Sequence, residues 1–179
     1  MKNYIPFILL PLLIISCRSG AQVPEDTIIK VMTPTPITVE CKNDLYPAEA
    51  PQFGDESSFR YQELNDSLKI IIISEGEGDK EVKSNDKVDV DYTGWLMDGC
   101  IFDSTYPRGS SAKFRIGMGQ VIQGWDEGLI GMKEGEVRRL NIGHKYAYGE
   151  DGIPGVIPEK SKLIFEIKLN KIIRLVNNE

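Results

Sequence analysis

A single histidine, His144, stands in 179 residues, and three cysteines, Cys17, Cys41 and Cys100, lie scattered along the chain. No histidine or cysteine pair has metal-ligand spacing, so no zinc site is expected. Nor is there a histidine-activated serine or cysteine: His144 follows Gly143 in a turn-like stretch and reads as a solvated side chain, not a base. Basic residues are few as well, 21 Lys and Arg against 27 Asp and Glu for a net charge of −6, which argues against nucleic acid as a partner. Long apolar runs are missing too. The longest, residues 4–16, falls short of the roughly 20 that a membrane-spanning helix needs. Apolar residues at 41% and charged residues at 27% fit a soluble globular protein, and the length fits one domain with appendages.

That apolar run, YIPFILLPLLIIS, follows Lys2 and contains Pro6 and Pro11, which a cleaved targeting signal tolerates better than a membrane helix does. Its ending, Ile14-Ile15-Ser16-Cys17, resembles the lipobox of bacterial lipoproteins, in which the cysteine is lipidated and becomes the new first residue. The resemblance implies a signal peptide over 1–16 and a lipid anchor on Cys17, with the chain held at a membrane of the bacterial cell envelope. Acyl chains contribute about 0.8 kcal/mol per buried methylene, enough for a stable anchor when more than one is attached. Arg18 supplies no acidic retention signal, which favours the outer membrane by analogy with other lipoproteins.

Residues 18–58 hold five of the ten prolines (Pro24, Pro34, Pro36, Pro47 and Pro51) among acidic and small residues, the composition of a tether between anchor and domain. A competing signal is present. TIIKVM (27–32) and ITVEC (37–41) are β-like runs that could pair or dock on the domain. Cys41 and Cys100 lie in different regions with no spacing pattern, and their pairing is left open.

From residue 59 onward the pattern becomes regular. LKIIIIS (68–74) is a β-branched strand, and EGEGD (75–79) after it reads as a solvated turn, since Lys80 stands where a calcium loop would need glycine. VDVDYTGWL (88–96) alternates apolar and polar residues, so one face of that strand is dry and the other wet. Met97-Asp98-Gly99 is a turn signal, followed by strands over 100–105, 112–117, 137–142 and 162–175. Only 121–132 favours a helix. These elements imply an α+β domain over 59–179, mostly antiparallel sheet with one short helix against it.

The helical stretch, VIQGWDEGLIGMKEGE (121–136), places Trp125 directly after Gly124, with Gly128 and Gly131 beyond. On its own this segment would be read as a tryptophan buried between helix and sheet. Together with VDVDYTGWLMDG, IFDST, YAYGEDGIPGVIP and LIFEIKL, in that order over roughly 67–175, it resembles the FKBP-type peptidyl-prolyl cis-trans isomerases. The resemblance implies a twisted five- or six-stranded antiparallel sheet wrapped around the short helix. It also implies that Trp125 is the floor of a pocket for a proline ring, and that no cofactor is needed. The glycines would then allow close approach of helix to sheet, and removal of Trp125 should loosen proline binding more than it unfolds the domain.

By the same matching, the catalytic set comprises Asp103, Tyr148, Phe102 and Trp125. Tyr92, Arg108, Gln120, Val121, Ile122, Val156, Ile157 and Phe165 are expected to bind substrate, with Arg108 pairing with Asp103. Taken singly, Tyr92, Phe102 and Phe165 are ordinary inward-facing strand residues, and Asp103 an ordinary turn aspartate. Three rim positions depart from the family's frequent residues: Ala112 replaces a phenylalanine, Gln120 a glutamate and Ile153 a histidine. Ala112 should open one wall and weaken a macrolide ligand. No insertion over 149–158 supplies an extra chaperone flap.

Rotation about an X-Pro amide needs no nucleophile. The barrier of about 18–20 kcal/mol is lost C–N resonance, and water favours the planar, charge-separated form. A dry aromatic pocket favours the less polar twisted form, which is differential binding of the transition state. The expected substrates are X-Pro-containing polypeptides, with the Ile122 N–H and the Tyr148 hydroxyl holding the substrate backbone. The alternative is a module that binds proline peptides, or acts as a chaperone, without turnover.

Overall fold

The computed structural model describes residues 41, 43–47, 50–54 and 61–174. The expected signal peptide, Cys17 and most of the expected tether lie outside the described residues. Nine strands appear in chain order: β1 (Tyr61–Asn65), β2 (Leu68–Ser74), β3 (Glu77–Glu81), β4 (Lys87–Leu96), β5 (Ile101–Ser104), β6 (Ala112–Arg115), β7 (Lys133–Glu134), β8 (Val137–Ile142) and β9 (Leu163–Ile173). The helix α1 spans Gln123–Gly128.

The main sheet runs β1-β2-β8-β9-β4-β5, and every pairing is antiparallel. β5 and β6 share one edge of β4: β6 pairs with residues 87–90 and β5 with 93–95. The sheet therefore has seven strands in six positions, at the upper end of the expected width. Thr105 bridges the gap between β5 and β6, its N–H donating to the Tyr92 carbonyl at 3.0 Å and its hydroxyl accepting the Tyr92 N–H at 2.9 Å.

Alternation in β4 sends Val88 and Val90, both fully buried, into the core with Tyr92 behind them. Val88, Val90, Leu140, Leu163, Ile167 and Met132 form the dry centre. The stretch read as a solvated turn at 75–79 instead contributes to β3, an exposed strand that pairs with β7. A turn reading of an acidic Gly-rich run misses a partner strand more than 50 residues away. The helix is shorter than 121–132. Ile122 is its extended N-cap, and Gly131, at φ 76°, takes the left-handed conformation that ends the segment.

The helix lies on β8, and two of its glycines explain how closely. A Cβ on Gly124 would come within 2.6 Å of Ile142, and one on Gly128 within 2.8 Å of Leu140. Gly131 differs: a Cβ there would meet open space, so its role is backbone conformation and not close approach. The helix C-terminus is held by Arg138 on β8, which donates to the carbonyls of Gly128 and Ile130 at 2.7 and 3.1 Å. Arg138 also pairs with Glu136 at 2.6 Å, both side chains almost fully buried. These bonds satisfy carbonyls that a helix end leaves orphaned.

The described part of the expected tether docks on the domain. Ala50 is 2% exposed, and Phe53 packs edge-on to Trp95 with ring centroids 6.3 Å apart. Arg139 donates to the carbonyls of Gly54 and Gln52 and lies over the Trp95 ring. Within the stretch read as a tether, 50–54 thus pack on the domain, burying Trp95 on the face of β4 opposite Val88 and Val90.

Candidate active site

Five aromatic rings from four strands and the helix close around one cavity. Trp125, 4% exposed, meets Tyr92 of β4, Phe165 of β9 and Phe114 of β6 at centroid distances of 5.0, 5.1 and 5.3 Å. Phe102 of β5 stands edge-on to Phe165 at 5.4 Å. The Trp125 contacts with Tyr92 and Phe165 and the Phe102–Phe165 contact are edge-to-face, a geometry that adds about 0.5–1.5 kcal/mol each beyond area burial. The cavity above Trp125 measures about 270 Å³ and is lined by Tyr92, Phe102, Asp103, Ala112, Phe114, Gln120, Val121, Ile122, Trp125, Tyr148 and Phe165.

Polar groups sit at the rim. The Tyr92 hydroxyl and the Arg108 guanidinium both donate to the Asp103 carboxylate, the latter at 2.7 Å, and Arg108 also donates to the Tyr92 hydroxyl at 3.1 Å. Burial, followed by the Asp103 carboxylate accepting its hydrogen bond, pushes the Tyr92 phenol up to about 12. The carboxylate and the phenol raise Arg108 further above its usual range, the hydrogen bond to Asp103 being the larger cause. Tyr148, 38% exposed, is raised by burial first and by the charge of Asp103 second, so its hydroxyl stays a donor. The carbonyl of Ile122 accepts from Trp125 and Asp126, while among the described residues no acceptor takes its N–H. The Trp125 indole N–H is likewise buried and unpartnered among the described residues.

The helix approach is set by two side chains that accept three loop N–H groups. Asp126 accepts the N–H groups of Gly117 and Gly119 at 2.8 and 3.0 Å, and Gln120 accepts the Arg115 N–H at 2.9 Å. They fold the 115–122 turn back over the helix start and thereby present Val121 and Ile122 to the cavity.

Most of the expected residues converge. Tyr92, Phe102, Asp103, Gln120, Val121, Ile122, Trp125, Tyr148 and Phe165 line one cavity, and Arg108 pairs with Asp103 behind it. Two expected substrate-binding residues do not line it. Val156 is 39% exposed on the 153–157 turn, and Ile157 is 3% exposed, packed in the core with its N–H bonded to the Ile153 carbonyl. The turn closes on itself through the Ile153–Ile157 bridge, which aims Ile157 inward. Sequence reasoning missed Phe114, although its alternation with Ala112 and Ile116 marks the inward face of β6. His144 begins a 3-10 turn and pairs with Glu150 at 3.2 Å, away from the cavity lining. Among the described residues no cluster of His, Cys, Asp and Glu could hold a metal ion.

Fold and cavity define an α+β domain with an aromatic cavity floored by an indole, and with the Ile122 N–H and the Tyr148 hydroxyl at its rim. Residues 78–170 match the family described as FKBP-type peptidyl-prolyl cis-trans isomerase. "FK506-binding protein 1A" of Neurospora crassa is 50% identical over 104 residues, covering 58% of this chain and 87% of that protein. "FK506-binding protein" of Neisseria meningitidis serogroup C is 47% identical over 106 residues, 59% of this chain and 96% of that protein. "Peptidyl-prolyl cis-trans isomerase Fkbp12" of Drosophila melanogaster is 44% identical over 105 residues, 59% and 97% respectively. The chain belongs to the FKBP-type peptidyl-prolyl cis-trans isomerases, and its activity is the rotation of X-Pro peptide bonds.

Proposed function

We propose that this isomerase is anchored through Cys17 in the bacterial cell envelope and accelerates X-Pro rotation during folding of exported polypeptides. The apolar run before Ile14-Ile15-Ser16-Cys17 supports the anchor, and the dry cavity floored by Trp125 carries the chemistry. The proline ring lies on the indole, between Phe102, Phe165 and Val121. The Ile122 N–H, which has no acceptor among the described residues, donates to a substrate carbonyl, and the Tyr148 hydroxyl donates to a second backbone oxygen.

Asp103 sits at the cavity edge, where the carbonyl of the residue before proline rotates out of conjugation with the proline nitrogen. Held by Arg108 and the Tyr92 hydroxyl, it cannot swing into the cavity, so its field is fixed before substrate arrives. Uncatalysed X-Pro isomerisation takes about 10–100 s at 25 °C, slow enough to limit folding. Several relatives are named for binding FK506, so this cavity is proposed to accept the same macrolide, more weakly because Ala112 leaves one wall low.

Two measurements test the reading. A protease-coupled assay with an X-Pro peptide should show acceleration that Phe102→Ala reduces; normal turnover in that variant would sink the cavity assignment. Labelling with a lipid precursor should mark the wild-type chain and not Cys17→Ala, and equal labelling of the two would remove the anchor.

A further inference from the structure

β5 carries Phe102 and Asp103 yet has a sheet partner on one side only, through residues 93–95 of β4. Short edge strands with one partner fray readily, because their outer N–H and C=O groups are paired with water. Here the outer edge is occupied. Asn43 donates from Nδ2 to the Gly99 carbonyl at 2.8 Å, and its Oδ1 accepts the Ile101 N–H at 2.8 Å. A donor and an acceptor engaging Gly99, in the turn before β5, and Ile101, its first residue, reproduce the i−1 and i+1 pattern that a residue of a parallel neighbouring strand offers. One side-chain amide thus stands in for a seventh sheet position.

The amide is itself held in place. The Cys41 thiol donates to Asn43 Oδ1 at 3.1 Å, and Asn43 opens a 3-10 turn whose closing bond runs from the Tyr46 N–H to the Asn43 carbonyl. Tyr46 lines a groove on the same side with Ile101, Trp95 and Phe53. Its phenol is raised by burial and then by the charge of Asp103, which places this turn within electrostatic reach of the rim. All of these N-terminal groups lie before residue 78, where the family match begins.

We propose that Asn43 is a positioning residue for the isomerase site, pinning the outer edge of β5 so that Phe102 and Asp103 are presented to the substrate in a fixed geometry. It touches neither substrate nor reacting atoms. The inference rests on the assignment of Phe102 and Asp103 to the site. When the edge loosens, only the pinned fraction of molecules binds substrate well, and binding re-forms the geometry. The effect therefore falls on apparent affinity and not on the turnover of bound substrate.

The test uses the full chain and three variants in the protease-coupled X-Pro assay: Asn43→Ala, Phe53→Ala and Phe102→Ala. Asn43 is exposed, so its truncation leaves the core intact. Losing the two bonds should raise KM about fivefold, with kcat within about twofold of wild type. Exchange of the Ile101 amide with solvent should quicken at the same time. Phe53→Ala loosens the other end of the docked segment and should lower thermal stability while leaving KM near wild type. Unchanged KM in Asn43→Ala, whether or not the Ile101 amide exchanges faster, overturns the inference. So does an equal KM rise in Phe53→Ala, which would make docking in general the cause. Normal turnover in Phe102→Ala removes the site assignment itself, an outcome distinct from either of these.

Discussion

The guanidinium of Arg138 reaches across from β8 to the Gly128 carbonyl at the end of α1, 2.7 Å away, while its other side is paired to Glu136. One buried cation thereby fixes the helix that carries the pocket floor. Removing it with Arg138→Ala leaves the Glu136 carboxylate buried without its partner, a change that costs about 3–5 kcal/mol. Replacing both residues with apolar ones, Arg138→Met with Glu136→Leu, removes the stranded charge. It still loses the bonds to Gly128 and Ile130, so a deficit of about 1–3 kcal/mol should remain. Urea midpoints of the three proteins check this, and a double variant as stable as wild type would show that the helix end needs no cap.

Trp125 serves fold and pocket together. Its indole packs against Tyr92, Phe114 and Phe165 and is 4% exposed. Trp125→Ala opens a hole in the floor of the aromatic cavity and should cost about 3–5 kcal/mol, so the expectation that its loss affects binding more than folding does not carry over to truncation. Trp125→Phe keeps a ring in place and is the informative variant. It should unfold at a midpoint much closer to wild type while KM for an X-Pro peptide rises several-fold.

Asp103 and Tyr148 are expected to separate orientation from electrostatics. Tyr148→Phe removes the rim hydroxyl proposed to donate to substrate, a loss of about 0.5–1.5 kcal/mol that should appear mainly in KM. Asp103→Val removes the fixed charge and leaves the Tyr92 hydroxyl and Arg108 without their shared acceptor. Its kcat/KM should fall about tenfold or more, equivalent to at least ~1.4 kcal/mol of transition-state stabilisation. An Asp103→Val variant with a smaller defect than Tyr148→Phe would place the main contribution in backbone binding.

Most of the main sheet was legible from β-branched runs and alternation, but β1 (Tyr61–Asn65) was not among the expected strands. LKIIIIS and VRRLNI coincide with β2 and β8 residue for residue, and Val88, Val90 and Tyr92 face inward as their spacing implies. The cavity was legible through motif order, since no local pattern says that Tyr92, Trp125 and Phe165, from three separate elements, will meet. What stayed hidden depended on partners far away in sequence. Nothing in the strand VRRLNI marks Arg138 as the residue that caps the helix end on another element. Asn43 lay in a Pro-rich stretch whose composition is that of a linker, and only the free edge of β5 gives its amide something to bind. Ile157 was matched to the pocket, but the bridge to Ile153 turns it into the core.

Bond rotation transfers no proton, so kcat should be flat between about pH 6 and 9, where the phenols of Tyr92 and Tyr148 remain protonated. Stability should respond only at higher pH. The Tyr92 phenol sits at about 12 in the folded protein, raised chiefly by burial, whereas an exposed tyrosine titrates near about 10. Below the lower value both states hold the proton, and the folded state keeps its full advantage. As pH climbs from about 10 to about 12 the unfolded chain releases that proton first, so folding stability falls. The urea midpoint should therefore hold steady to about pH 9.5 and decline above it. Tyr92→Phe should shallow that decline without abolishing it, because Tyr148 and Tyr106 are raised as well. Ultraviolet titration of the phenols provides the second check, in which the wild-type chain should show a late-titrating component that is diminished in Tyr92→Phe. A midpoint that stays level through pH 11 would mean that the Tyr92 phenol ionises as freely in the folded protein as in the unfolded chain.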